Sequence, residues 1–151
     1  MRAPVPSLTS HLGYWLRQVS NHVSHGFAHK LATLDVTVAE WALLRMLYDE
    51  TRIAPSQLAE RMGMTRGAVS KLADRLIAKR LVARAANPDD GRGQKLGFTS
   101  AGVALVPRLA EVADHNDAEC FAHLTNDERE AFRRILHDIV TRLGITALAL
   151  D

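Results

Sequence analysis

Cys120 is the only cysteine in the 151 residues of this chain. No intrachain disulfide can form and no paired-thiol metal motif is present, so a reducing, cytoplasmic setting is expected. No uninterrupted apolar run approaches the roughly 20 residues of a membrane-spanning helix. The opening Met1-Arg2-Ala3-Pro4-Val5-Pro6 lacks the apolar stretch of a signal peptide. No membrane partner is therefore expected. Also missing are a glycine-rich phosphate loop, a G-x-S-x-G elbow, a His-Glu-x-x-His pair and any nucleophile with a base beside it. These absences argue against an enzyme and against a bound cofactor. Net charge is low as well, at +2.

That small net charge conceals a strong segregation. Between Arg61 and Lys95 nine lysines and arginines stand against three acids, whereas the remainder of the chain is acidic overall. From Glu111 to Glu130 acids outnumber bases seven to one. One end of the molecule is thus suited to a polyanion and the other repels it.

The basic segment is organised around residues 65–80. Val69, Leu72, Ala73, Leu76 and Ile77 recur at the spacing of a helix with one buried face. Gly67, Ser70, Lys71, Asp74 and Arg75 then point outward, and the Thr65 hydroxyl is placed to cap the first turn. Just before it, Pro55–Met62 reads as a short helix with proline near its start and Gly63 just past its end. Only Gly63, Met64 and Thr65 separate the two helices. So short a link makes them cross steeply, as in a helix-turn-helix whose second helix enters the major groove.

Around this pair the pattern is mainly helical. Leu8 to about Thr33 reads as one long helix capped by Ser7 or Ser10, with apolar residues from Leu12 to Leu31 at spacings of three and four. Thr37-Val38-Ala39-Glu40 is a capping box that opens a second helix ending near Asp49 or Glu50. Residues 81–86 and 94–99 read as extended, and the turn formers between them make a β-hairpin with a charged tip, placed as a wing. Ser100 is expected to cap a helix to about His123, bent at Pro107. Thr125-Asn126-Asp127-Glu128 opens a last helix with a long apolar stripe from Phe132 to Leu143. The terminal helices carry more apolar length than one small module needs, which implies a dimer built from both chain ends.

In this order the motifs resemble the MarR family of bacterial winged helix-turn-helix regulators over nearly the whole chain. Leu34 through Leu44, Leu58-Ala59-Glu60-Arg61-Met62-Gly63, Val69-Ser70-Lys71-Leu72, Arg80-Leu81-Val82-Ala83-Arg84, and Asp90-Gly91-Arg92 leading to Phe98-Thr99-Ser100-Ala101-Gly102 carry the likeness. Arg80 departs from it, standing where glycine is common, and Phe98 stands where leucine is common. The resemblance implies a mainly α (α+β) fold forming a single domain over 1–151, with a winged helix-turn-helix lobe at 37–99 and dimerisation helices at 7–33 and 100–150. It further implies a homodimer on a pseudo-palindromic stretch of double-stranded DNA, acting as a repressor released by a small-molecule effector. By the same resemblance Thr65, Arg66, Gly67, Ser70, Lys71 and Arg75 meet the major groove. Arg92 reaches the minor groove, held by Asp90.

For the effector, Trp15, His22, Trp41 and Arg45 belong to segments that can line a cavity, offering aromatic walls and one cation for an aromatic acid. An alternative is a zinc-type metal-responsive regulator through His22, His25 and His115, histidines of the first and fifth helices. His22, His25 and His29 also fit a plain polar helix face, and no acid or thiolate stands beside them to complete a site, so no metal ligands are assigned. Cys120 sits among acids, which disfavour a thiolate, and is expected to be inert.

Arg92→Ala is expected to weaken operator binding about tenfold and to reduce the preference for A·T-rich flanks, where a narrow minor groove concentrates negative potential. Fluorescence anisotropy on duplexes differing only in their flanks measures both effects. Unchanged affinity would remove Arg92 from the interface.

Overall fold

The computed structural model describes residues 1–86, 93–146, 148 and 150. Six helices and a hairpin follow each other as α1 (Leu12–Ala32), α2 (Val38–Tyr48), α3 (Pro55–Met62), α4 (Arg66–Ala78), β1 (Val82–Ala86), β2 (Gln94–Phe98), α5 (Ser100–Phe121) and α6 (Asn126–Arg142). Among these, no helix is long and apolar enough to cross a membrane.

Two helix starts differ from the sequence reading. A short 3-10 turn at Leu8–Ser10 precedes α1, and His11, without a side-chain cap, stands at the boundary. Ser10 donates instead to the Ser7 carbonyl, which favours the turn over a helix start. At α5 the cap is Thr99, not Ser100. Its hydroxyl accepts from the Gly102 amide and also reaches the carbonyls of Arg80 and Leu81. Those carbonyls lie so close that a Cβ on Gly102 would stand 2.0 Å from the Leu81 oxygen, so only glycine fits. The capping boxes at Thr37 and Thr125 form as expected, and α5 runs through Pro107 as one helix.

The core lies under α2. Leu43, Leu44 and Leu47 are fully buried there, and around them close Leu31 of α1, Leu58 and Met62 of α3, Val69 and Leu76 of α4, Leu96 of β2 and Leu109 of α5. The hairpin is antiparallel, pairing Val82 with Phe98 and Ala86 with Gln94. A bridge the sequence did not suggest adds Ile53 to it, with amides and carbonyls of Ile53 and Leu96 exchanged at 3.0 and 2.8 Å. The loop before α3 is thereby stitched to the wing strands.

The two terminal helices are left largely uncovered. Helix α1 packs along α5, but Leu12, Trp15, Leu16 and Val19 are exposed. Helix α6 buries no residue. It meets α5 near its own start, where Phe132 lies 6.0 Å from Phe121 and Arg129 donates to the Phe121 carbonyl. Ile135, Ile139, Val140 and Leu143 face outward.

Polar groups set the register of α1 on α5. Asn116, buried, donates to the Val23 carbonyl and accepts from the Lys30 ammonium at 2.8 Å. Lys30 also pairs with Glu119 at 2.7 Å, and His115 meets the same carboxylate at 3.1 Å. The hydrogen bond from Lys30 is the main reason that Glu119 is held below its ordinary carboxylate range. A lowered folded-state pKa means stabilisation that is complete above the ordinary value near 4.5 and is lost as the pH falls through the folded one. Melting temperature is therefore expected to fall more steeply in the native protein than in Glu119→Gln as the pH drops from about 5 to 3. Parallel curves would remove this contact from the acid response.

Candidate nucleic-acid interface

Helix α4 buries Val69, Leu72, Ala73 and Leu76 and turns Arg66, Gly67, Ser70, Lys71 and Arg75 to solvent. Thr65 stands at its N-cap, exposed, with its hydroxyl accepting from the Ala68 amide at 3.1 Å. Gly63, at φ 63°, ends α3 in the left-handed region and reverses the chain within the three-residue link. Around Gly67 an added Cβ would meet nothing within 4 Å, so the first turn offers open backbone rather than packing. Arg66, Lys71 and Arg75 make no ion pair among the described residues, which leaves cations along the exposed face of α4, with Arg66 at its N-terminus and Arg75 in its last turn. That combination attracts anions through both fixed charge and the helix dipole.

One outward residue is engaged elsewhere. Asp74 accepts from Arg84 of β1 at 2.8 Å, tying the middle of α4 to the wing strand. Sequence alone gave no sign of this pair, because ten positions and a change of element separate its members. Asp90 and Arg92 lie outside the described residues.

The angle of α4 is fixed at its far end. Lys79, the C-cap residue, reaches the Glu40 carboxylate at 2.9 Å and the Asp35 backbone carbonyl. Glu40 is 1% exposed and at the same time accepts from the Thr37 amide as part of the α2 capping box. The sequence showed Glu40 only as a capping residue. Its second role depends on α4 crossing α2, which is a tertiary fact. Asp35 and Arg80, flanking this junction, have φ of 56° and 59°. A glycine would hold the latter position without strain, since a left-handed residue with a Cβ costs about 1 kcal/mol.

Sequence comparison gives this geometry a context. A model described as the MarR family matches residues 34–93. HTH-type transcriptional repressor Rv2887 of Mycobacterium tuberculosis is 30% identical over 128 residues, covering 85% of this chain and 92% of that one. The chain belongs to the MarR family. A crystal structure of Rv2887 in complex with DNA superposes with a TM-score of 0.70 at 27% identity, covering 85% of this chain and 97% of that one. A mutant of MarR from Escherichia coli complexed with operator DNA gives 0.75 at 27% identity, covering 85% and 93%. The winged helix fold of the family is therefore the fold of this chain.

The four residues expected to hold an effector do not come together. Trp41 lines a cavity of about 370 Å³ between α1, α2 and α5, with Phe27, Val38, Ser24, Asn116 and Asp117. Trp15 and His22 line a different one of about 770 Å³, open between α1 and the α5–α6 corner, beside Cys120. Arg45 lines neither; it is exposed and paired with Asp49 at 2.8 Å one helical turn on. The cation assigned to an aromatic acid is thus spent on a neighbouring carboxylate. The zinc-type alternative fares no better. Among the described residues no three His, Cys, Asp or Glu side chains cluster as metal ligands, and His115 is turned to Glu119.

Glu40→Gln removes the charge opposite Lys79 while keeping its shape. Breaking a buried pair from one side is strongly destabilising, and Lys79 is partly solvated, so a loss of about 1–3 kcal/mol is expected. Thermal or urea unfolding measures it. No change in stability would mean that the pair does not hold α4 on α2.

Proposed function

We propose that this chain works as a homodimer that grips a pseudo-palindromic operator with paired α4 helices and lets go when a small molecule binds. Membership of the MarR family, with relatives named as repressors and solved with DNA, makes it a DNA-binding transcriptional repressor. The dimer, the residue roles and the effector are the proposal.

The observation that carries it is the pairing of two opposite surfaces. At one end Arg66, Lys71 and Arg75 of α4, without an ion pair among the described residues, sit on a packed core, and only Asp74 on that face is paired, to Arg84. At the other, α1 and α6 present apolar side chains that nothing in one chain covers. Burying those stripes against a second copy sets two α4 helices on one face of the assembly, as needed for half-sites about one helical turn, roughly 34 Å, apart. Thr65, Arg66, Gly67, Ser70, Lys71 and Arg75 are assigned to phosphates and base edges of the major groove. Asp90 and Arg92 are assigned to the wing and the minor groove. The cytoplasm is the proposed location.

An effector fits the same layout. The cavity at Trp41 touches α1, α2 and α5, and α2 is the helix that Glu40 and Lys79 tie to α4. A ligand that moves α2 relative to α1 moves the DNA-facing helix with it.

Fluorescence anisotropy of the DNA upstream of the protein's own gene, against a shuffled duplex, across a salt series, tests the reading. Tight, sequence-dependent binding with a steep negative salt slope is expected. Lys71→Ala should weaken it about tenfold and flatten the slope by roughly one contact per protomer. Absence of binding even at low salt would overturn the proposal, and unchanged affinity in Lys71→Ala would remove that lysine from the interface.

A further inference from the structure

We propose that the cavity between α1, α2 and α5 is made for a hydrophobic cation, an aromatic amine or ammonium, in place of the aromatic acid that the sequence suggested. The effector role of that cavity rests on the ligand-released repressor reading, whereas the class of ligand rests on the lining alone.

The lining has one sign of charge. Phe27, Val38 and Trp41 supply apolar and aromatic wall, Ser24 and Asn116 supply neutral polar groups, and Asp117 supplies the only formal charge among the described residues. No lysine, arginine or histidine is among the lining residues. Two neighbouring cations are held by carboxylates. Lys30, behind Asn116, is held by Glu119. Arg45 on α2 is held by Asp49. Asp117 also edges a groove toward α6, where Arg133 pairs with Glu130 and Arg129 donates to the Phe121 carbonyl, keeps an unpartnered Nε and makes no ion pair with Asp117. Among the described residues Asp117 itself makes no ion pair.

A ring entering this space lies against Trp41 and Phe27, aromatic side chains whose π-systems attract a cation. A positive group on that ring finds Asp117, exposed at the cavity mouth and without an ion pair among the described residues, as its counter-charge. A carboxylate in the same place is opposed by both features. At about 370 Å³ the space suits a one- or two-ring molecule. Asn116 has a remaining amide hydrogen, and Ser24 a hydroxyl, to orient a neutral polar substituent.

The test compares 2-(1-naphthyl)ethylamine with 1-naphthylacetate, close in size and opposite in charge, by isothermal titration calorimetry on the full chain at neutral pH. The amine is expected to bind saturably and at least about tenfold more tightly than the acid. Asp117→Asn, an exposed and isosteric change, should cost the amine at least about fivefold and narrow the gap between the two ligands. Trp41→Leu should weaken the amine, and Arg45→Ala should leave both ligands unchanged. Preference for the acid, amine binding indifferent to Asp117→Asn, or no saturable amine binding would overturn the assignment. Anisotropy of operator DNA with the amine present separates the two readings. Release on addition supports both, while Asp117-dependent binding without release upholds the ligand class and counts against the effector role.

Discussion

A carboxylate taken out of water must find a positive partner, and in this chain that requirement decides how α4 is held. Glu40 is buried because α2 is buried, with Leu43, Leu44 and Leu47 inaccessible on successive turns. Its charge is met by Lys79 from the end of α4. A pair of this kind adds little net stability compared with an apolar contact, but it tolerates very few alternative geometries. It therefore fixes direction more than it adds strength. With α4 anchored at its C-terminal end, the outward turn at Arg66 to Lys71 inherits a defined position from the core.

The same logic of position by polar contact recurs between α1 and α5. Apolar contacts such as those of Leu31 and Leu109 are non-directional and by themselves leave the two helices free to slide. Asn116 and Glu119 prevent that by taking specific partners at Val23 and Lys30. The molecule thus consists of a lobe whose parts are locked by Glu40 and a helical pair locked by Asn116. The cavity at Trp41 lies between the two locks. A relative movement of lobe and helical pair would be felt there first.

Much of this was legible beforehand wherever the cause was local. The stripes of α3, α4 and α6, the capping boxes at Thr37 and Thr125 and the glycine ending α3 all act within a few residues, and their elements appear in place. Even local reading failed where two adjacent hydroxyls competed. Thr99 rather than Ser100 caps α5 because it alone can also reach the carbonyls at 80 and 81 across the hairpin base. What was not legible was adjacency between distant segments. Ile53 joining β2, Arg84 reaching Asp74 and Lys79 reaching Glu40 each need the finished packing. The effector residues illustrate the limit best. Trp15 and Trp41 lie on the expected helices, yet helical phase and tilt place them in separate cavities. Arg45, a turn before Asp49 in sequence, carried a hint of its own neutralisation.

Arg80 holds a left-handed conformation that a residue without a side chain would adopt freely. A cation kept at such a position, just beyond the helix proposed to face DNA, means that charge and backbone ease are in competition at one residue. Stability and affinity for a polyanion then become opposed traits there, improved by different substitutions. A single substitution at position 80 can therefore relieve the backbone only by giving up a charge, without altering any other part of the fold.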